Sequence, residues 1–322
     1  LSIKKFLILK MYMVMHQTLR SSKLFLFYFF FPNLLFSESF NLTEVADGIF
    51  VHFGVHEDSN PSNYGDISNL GFIIGKKSVL VVDAGGTEQI AEKLILKIKE
   101  KTKLPISHLV ITHGHPDHFI GSSAFTKFNP IVVGHENLER SLSMNFNFYR
   151  LLQATDIEQK IVLDTKPVLP NLKIKKNESI EIDLGERRLI IKAWPSAHTD
   201  NDLSIFDLKT NIIWSELFFE KRIPSIGASI LGWKKNLEAI KKDSVKMIIP
   251  GHGAFGEKNK IIDPMLNYFN RIIDHVRNAH KTGKTIEETT QNKKINNIEN
   301  WLLFNEYHIR NVTKAYSELE WE

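Results

Sequence analysis

The run Val79-Leu80-Val81-Val82 contains no polar position, and it predicts a strand buried on both faces over Ser78–Asp83. It stops at the turn Asp83-Ala84-Gly85-Gly86, after which apolar residues recur at helical spacing over Thr87–Lys101. Shorter apolar runs predict strands at Val51–Val55, Leu70–Ile74, Leu109–Ile111 and Ile131–Val133, with a helix beginning near His118. Past Pro170 the pattern is strand-rich, at Leu172–Ile174, Leu189–Trp194, Leu203–Leu208 and Ile212–Trp214. A helix over Trp233–Lys242 precedes the apolar run Val245–Ile249. From about Ile261 the chain reads as polar, mostly helical and without evident chemistry. Strands alternating with helices from Phe40 onward predict one continuous α/β domain over 40–322, with no internal repeat and no low-complexity linker.

The first 39 residues follow a different rule. Lys4, Lys5 and Lys10 accompany an apolar run from Phe6 to Met15, and Arg20 and Lys23 precede a second run, Leu24–Phe31, extended by Leu34–Phe36. Ser37-Glu38-Ser39 then places small residues at alternate positions. Read from Met15, this is the layout of a secretory signal: basic segment, short apolar segment, cleavage site. It predicts export to the periplasm or beyond, with no stable membrane insertion after cleavage. The opposing reading is an uncleaved anchor, for which the apolar stretch falls short of the roughly 20 residues a span needs. The opening Leu1 suggests an alternative start codon or an over-extended N-terminus.

Composition narrows the function. With 322 residues and 43% hydrophobic, the chain can bury a sizeable core, which excludes a disordered, collagenous or disulfide-scaffolded protein. The net charge of +4 is small and spread along the chain, so no nucleic-acid partner is expected. There is no cysteine, which removes disulfides, thiolate nucleophiles, iron–sulfur clusters and thiolate zinc sites together. Any metal must therefore be held by imidazoles and carboxylates.

Those residues gather where strands stop. Thr112-His113-Gly114-His115-Pro116-Asp117-His118 follows directly on the strand ending at Ile111. His113 and His115, two apart on extended chain, can aim both rings to one side, and Asp117 and His118 open the helix beside them. A polar turn with surface histidines is the plainer explanation, but three His and one Asp within six residues are hard to arrange by chance. Three more residues share the strand-end setting: His198 in Trp194-Pro195-Ser196-Ala197-His198-Thr199, Glu216 just beyond Ile212–Trp214, and His252 in Pro250-Gly251-His252-Gly253. Each taken alone is more often a hydrogen-bonded turn residue than a ligand. His108, His135, His275, His280 and His308 have no such context and read as surface or structural.

At these residues the sequence resembles the metallo-β-lactamase-fold hydrolases. The likeness rests on His113-Gly114-His115-Pro116-Asp117-His118 and extends to Val81-Val82-Asp83-Ala84-Gly85, His198-Thr199 and Pro250-Gly251-His252-Gly253, spanning about Leu42–Gly256. Arg222-Ile223-Pro224-Ser225-Ile226 with Gly232-Trp233 looks most like the zinc metallohydrolases associated with periplasmic quinoprotein systems. The resemblance implies an α/β fold, a four-layer αββα sandwich, with a binuclear zinc centre on one edge. It implies that His113, His115 and His198 hold the first metal, and that Asp117, His118 and His252 hold the second. Glu216 falls where many members have a bridging Asp, one methylene shorter; a wider site, a monodentate bridge or a place behind the ligands all remain open.

The expected activity is that of a zinc-dependent hydrolase, with Mn²⁺ or Fe as alternative metals. A hydroxide shared by the metals would attack a carbonyl or phosphoryl centre, with Asp117 orienting it and passing on its proton. The expected substrate is a small ester, thioester or lactam, because no nucleic-acid-clamping domain accompanies the fold. Asp83 either supports a ligand imidazole from behind or caps the following helix. Trp194, Phe218, Phe219 and Trp233 form either an apolar wall at the site or part of the core. The competing function is that of a catalytically silent metal-binding accessory protein serving a quinoprotein system.

Overall fold

The computed structural model describes residues 40–291 and 300–322. The predicted signal segment, residues 1–39, lies outside the described residues, and Phe40–Glu322 forms one compact unit. The described residues contain thirteen strands, β1 (Thr43–Ala46), β2 (Ile49–His52), β3 (Leu70–Ile74), β4 (Val79–Val82), β5 (Ile106–Val110), β6 (Ile131–His135), β7 (Leu172–Ile174), β8 (Ser179–Asp183), β9 (Arg188–Ala193), β10 (Leu203–Asp207), β11 (Ile212–Phe219), β12 (Met247–His252) and β13 (Gly256–Glu257). The first seven form one sheet in chain order, and the other six form a second, ordered β13-β12-β11-β10-β9-β8. Helices α1 (Glu88–Lys101), α2 (Pro116–Phe119) and α3 (Leu138–Asp156) lie with the first sheet. Helices α4 (Ile230–Lys242), α5 (Lys258–Lys281), α6 (Ile286–Gln291) and α7 (Phe304–Leu319) follow the second.

Side-chain alternation explains the layering. On β4, Val79 and Val81 join the apolar layer that also holds Ile90, Leu94 and Ile98 of α1. Leu80 and Val82 point the other way, into a layer shared with Ile191, Leu203, Ile205 and Trp214 of the second sheet. A strand covered on both faces has no position to spare for a polar side chain, which is why VLVV is unbroken. A third layer packs α4, α5 and α7 on the far side of the second sheet, through residues such as Leu237, Phe269 and Val312. The architecture is therefore helix, sheet, sheet, helix, an αββα sandwich.

Several expectations need revision. The strand predicted over Ile212–Trp214 runs on to Phe219, so Glu216 lies within β11 and not beyond it. All eight of its residues are buried, and packing overrides the weak β-preference of Glu. The helix expected near His118 is a single turn that passes into a 3₁₀ segment over Ile120–Phe128. The long helix α3 gives little periodic signal, since its apolar Met144, Phe148, Leu151 and Leu152 are exposed. The tail after Ile261 is not simply polar: α5 buries Ile261, Ile262, Met265, Tyr268, Phe269 and Ile272 on one face. Among the described residues, no helix is long and apolar enough to cross a membrane.

One buried ion pair ties the two sheets. Arg187, in the β8–β9 turn, donates from Nη2 to Oδ2 of Asp207 at 2.8 Å and from Nη1 to the carbonyls of Asp47 at 2.7 Å and Ile74 at 3.1 Å. Both charged side chains are almost fully buried. Lysine has no planar fork to meet these acceptors together, so Arg187→Lys should destabilise the chain by about 2 kcal/mol in denaturant titration. A loss below about 0.5 kcal/mol would show that the staple is dispensable.

Candidate metal centre

The site forms at one edge of the sandwich, where β4, β5 and β12 end and where the β9–β10 loop approaches. Past β5, the backbone N–H of Thr112 donates to Oδ1 of Asp83 and its hydroxyl donates to Oδ2, both at 2.8 Å. That fixes the extended segment carrying His113 and His115. Pro116 then starts α2, whose first turn presents Asp117 and His118. On the opposite sheet, β11 and β12 pair as Ser215 with Pro250 and again as Phe219 with His252, so β11 bulges between them. Glu216 sits in the bulge facing Gly251, where any Cβ would overlap its carboxylate. A side chain there would force the Glu216 carboxylate to move. Asn69 braces the same turn, donating from Nδ2 to the carbonyls of Pro250 at 2.8 Å and Gly253 at 2.7 Å.

All seven residues singled out from the sequence converge. Ligand atoms of His113, His115 and His198 lie within 4.8 Å of one another, as do those of Asp117, His118 and His252, and those of His113, His118 and Glu216. The first two groups are the same two trios that the resemblance implied. Glu216 stands between them: Oε1 is 3.2 Å from Nε2 of His252 and 3.8 Å from Nε2 of His198, and Oε2 is 3.4 Å from Nε2 of His118. Asp117 Oδ2 lies 3.4 Å from Nε2 of His118 and 3.3 Å from Nε2 of His252.

Backbone and carboxylate acceptors behind the rings decide which nitrogen faces the cavity. His198 Nδ1–H donates to the carbonyl of Ser225 at 2.8 Å and His252 Nδ1–H to that of Ile67 at 2.7 Å. His118 Nδ1–H donates to Oδ2 of Asp83 at 2.8 Å. Each leaves Nε2 directed inward. This gives Asp83 its role, since α1 is capped by Thr87, whose side chain accepts from the N–H of Ile90.

Charge follows the same division. Burial drives His113 well below the ordinary imidazole value, with His118, His115 and His198 adding repulsion. His198 is pushed down to about 3, first by burial and then by His115. At His118 burial opposes the charge, but the carboxylates of Asp117, Glu216 and Asp83 prevail and raise it well above the ordinary value. Burial would raise Asp117, yet His118 and His252 pull it well below the usual carboxylate range.

A divalent cation fits this donor set. His198 Nε2 faces His115 Nδ1 at 2.9 Å and His113 Nε2 at 3.3 Å, an approach of ring nitrogens that a shared cation explains. The buried His118 Nε2 and Glu216 Oε2 have no hydrogen-bond partner, which is costly for polar atoms unless a ligand completes them. Nitrogen and carboxylate oxygen together suit Zn²⁺, Mn²⁺ or Fe.

A cavity of about 660 Å³ opens onto these residues. Of the four aromatics proposed as a wall, only Phe219 lines it; Trp194, Phe218 and Trp233 are buried in the core beneath. The apolar wall comes instead from Phe148, Tyr149 and Leu152 of α3 and from Ile226. Tyr307, Arg310 and Asn311 of α7 also line it, so the C-terminal segment, read from sequence as chemically empty, reaches the site. Nothing local marks these residues, because their neighbours across the cavity are more than 80 positions away in the chain. The five histidines read from the sequence as surface or structural bond outside this donor set: His135 bonds the carbonyl of Trp194, His275 that of Thr289 and His280 that of Tyr316. His108 bonds the hydroxyl of Ser107, and His308 that of Tyr268.

The family model described as "Metallo-beta-lactamase superfamily" matches residues 63–252. No curated protein matches the chain. Among solved structures, it is similar to the metallo-beta-lactamase from Pontibacter korlensis, with a TM-score of 0.57, 17% identity, and coverage of 71% of this chain and 98% of that one. It is also similar to the DIM-1 metallo-beta-lactamase, with a TM-score of 0.55, 17% identity, and coverage of 71% and 96%. At that identity the likeness concerns the fold.

Proposed function

The chain belongs to the metallo-beta-lactamase superfamily, and on that footing we propose that it is a zinc-dependent hydrolase of a small ester, thioester or lactam. Fold alone does not select a reaction. The observation that carries the reading is the convergence of five imidazoles and two carboxylates from four separate chain segments, with His115, Asp117, His198, Glu216 and His252 lining one cavity.

In this reading His113, His115 and His198 would hold one metal and Asp117, His118 and His252 the other, with the Glu216 carboxylate within reach of both groups. Zinc bound at such a site would lower the pKa of water to about 7 and polarise a carbonyl. The chain's own groups do the rest. Asp117 faces the cavity with its carboxylate held ionised, so it can orient the attacking water and take its proton at Oδ2 for delivery to the leaving group. Phe148, Leu152 and Phe219 offer an apolar ledge for an acyl group, and the cavity volume lies in the range of small-molecule sites.

Metal analysis followed by a panel of activated esters, thioesters and chromogenic lactams tests this reading. The purified chain should hold about two zinc ions and turn over at least one substrate class in a zinc-dependent way. Phe148→Asp should raise KM for esters of longer acyl chain about tenfold, the value of burying one apolar contact of roughly 1.4 kcal/mol. Metal retention without turnover on the whole panel would favour a silent accessory protein, and absence of zinc, manganese and iron alike would end the metal reading.

A further inference from the structure

His198 projects from a loop, not from a strand, and its aim depends on one acceptor, the carbonyl of Ser225. Ser225 itself lies in the stretch between β11 and α4, which has no sheet partner. What holds that stretch is the C-terminal part of the chain. The N–H of Ile223 donates to the carbonyl of Leu302, and the N–H of Leu302 to that of Lys221. At the far end, Glu318 accepts from the hydroxyl of Ser229 at 2.6 Å and from the N–H of Ile230 at 2.8 Å.

Asn311 occupies the middle of this seam. Its Oδ1 accepts from the N–H of Ile226 at 2.9 Å, and its Nδ2 donates to the carbonyl of Pro224 at 2.6 Å. The same Nδ2 donates to the hydroxyl of Tyr268 at 2.9 Å. The side chain is 1% exposed, so every one of these bonds is made away from water, where an unmet partner is costly. One amide thus grips the peptide groups on both sides of Ser225. The Ser225 carbonyl between them is held in the one direction that receives His198 Nδ1–H. From the other side, the N–H of Gly227 donates to the carbonyl of His198 at 3.0 Å, and a Cβ on Gly227 would strike that oxygen.

We propose that Asn311 is a positioning residue for His198. Through Ser225 it fixes the tautomer and direction of this imidazole, making helix α7 part of the machinery that prepares the first metal position. The inference rests on the reading of His198 as a metal ligand, and it adds a residue outside the matched region 63–252.

Two measurements on the full chain test it. In the metal-free protein, the His198 Nδ1–H resonance, assigned by its loss in His198→Gln, should exchange slowly with solvent. In Asn311→Ala that exchange should quicken at least tenfold, and competition against a chromophoric chelator should show zinc affinity reduced about 10- to 100-fold. Tyr268→Phe removes the third Asn311 bond but leaves the grip on Ser225; it should lose stability while keeping wild-type zinc affinity. Should Asn311→Ala fail to fold, the isosteric Asn311→Asp, which places a carboxylate oxygen against the Pro224 carbonyl, carries the same two expectations. Wild-type exchange and affinity in the folded variant overturn the proposal, and so does an equal loss of zinc affinity in Tyr268→Phe. A wild-type chain that binds no zinc would remove the ligand reading, while the resonance would still decide whether Asn311 holds the His198 ring.

Discussion

A chain carrying His115→Ala should purify with less than its full complement of zinc and hydrolyse its best substrate about 10³-fold more slowly, the rate equivalent of roughly 4 kcal/mol of lost charge stabilisation. The reason is geometric. His115 Nδ1 stands 2.9 Å from Nε2 of His198, and its ring meets that of His113 edge-on at 4.7 Å between centroids. Removing it leaves His113 and His198 facing each other with no third donor to close the group. His115 is also the more exposed member of its trio, half-buried where the other two are buried, so alanine should cost the fold little. Loss of activity without loss of cooperative unfolding is therefore the expected pattern. Adding zinc back should restore a chelator-stripped parent and fail to restore the variant. Unchanged turnover in the variant would refute the assignment of this centre to hydrolysis.

Asp83→Ala should act in the opposite proportion, on stability first. The buried carboxylate accepts from the N–H and hydroxyl of Thr112 and from Nδ1 of His118, each at 2.8 Å. Burial raises its pKa, and the His118 and Thr112 bonds pull against that rise. Alanine leaves these donors without an acceptor in an apolar surround, a loss of roughly 3–5 kcal/mol. It also frees the His118 ring to rotate, which should weaken zinc binding about 10- to 100-fold. Asp83 has φ of +58°, a left-handed conformation that Asn adopts readily and Ala does not. Asp83→Asn should therefore recover part of the stability but less of the zinc affinity, because an amide offers a single acceptor oxygen. Chemical denaturation and chelator competition read the two effects separately. A cost under about 1 kcal/mol for alanine would mean that Thr112 and His118 find other partners.

Much of the site was legible because its chemistry is concentrated. Four of the seven converging residues lie within Thr112–His118, and no cysteine competes for the role of ligand. The strands β3, β4, β7, β9 and β10 were equally plain, since each carries an uninterrupted or alternating apolar run against a turn. Less legible were elements whose exposed face breaks the apolar pattern. Helix α3 exposes Phe148, Leu151 and Leu152 beside the buried Leu138, Leu142 and Phe146, which blurs its stripe; β8, Ser179–Asp183, alternates with acids on its solvent face. The full extent of β11 is hidden in the sequence because Glu216 looks like a strand terminator, whereas Gly251 opposite gives its carboxylate room inside the sheet.

By itself the sequence determined the kind of molecule and the kind of donors: an α/β domain, metal ligands of nitrogen and oxygen, and a cluster poised at a strand end. Local spacing suffices for that, because periodicity and short-range motifs are written within a few residues of one another. Tertiary structure decided what stands behind and around those donors. Asp83 behind His118, Ser225 and Asn311 behind His198, the ledge of α3 and the reach of α7 all depend on contacts between distant positions. A hydrogen bond across 85 residues leaves no trace in the neighbourhood of either partner, and only the closing of two sheets against each other brings such partners within reach.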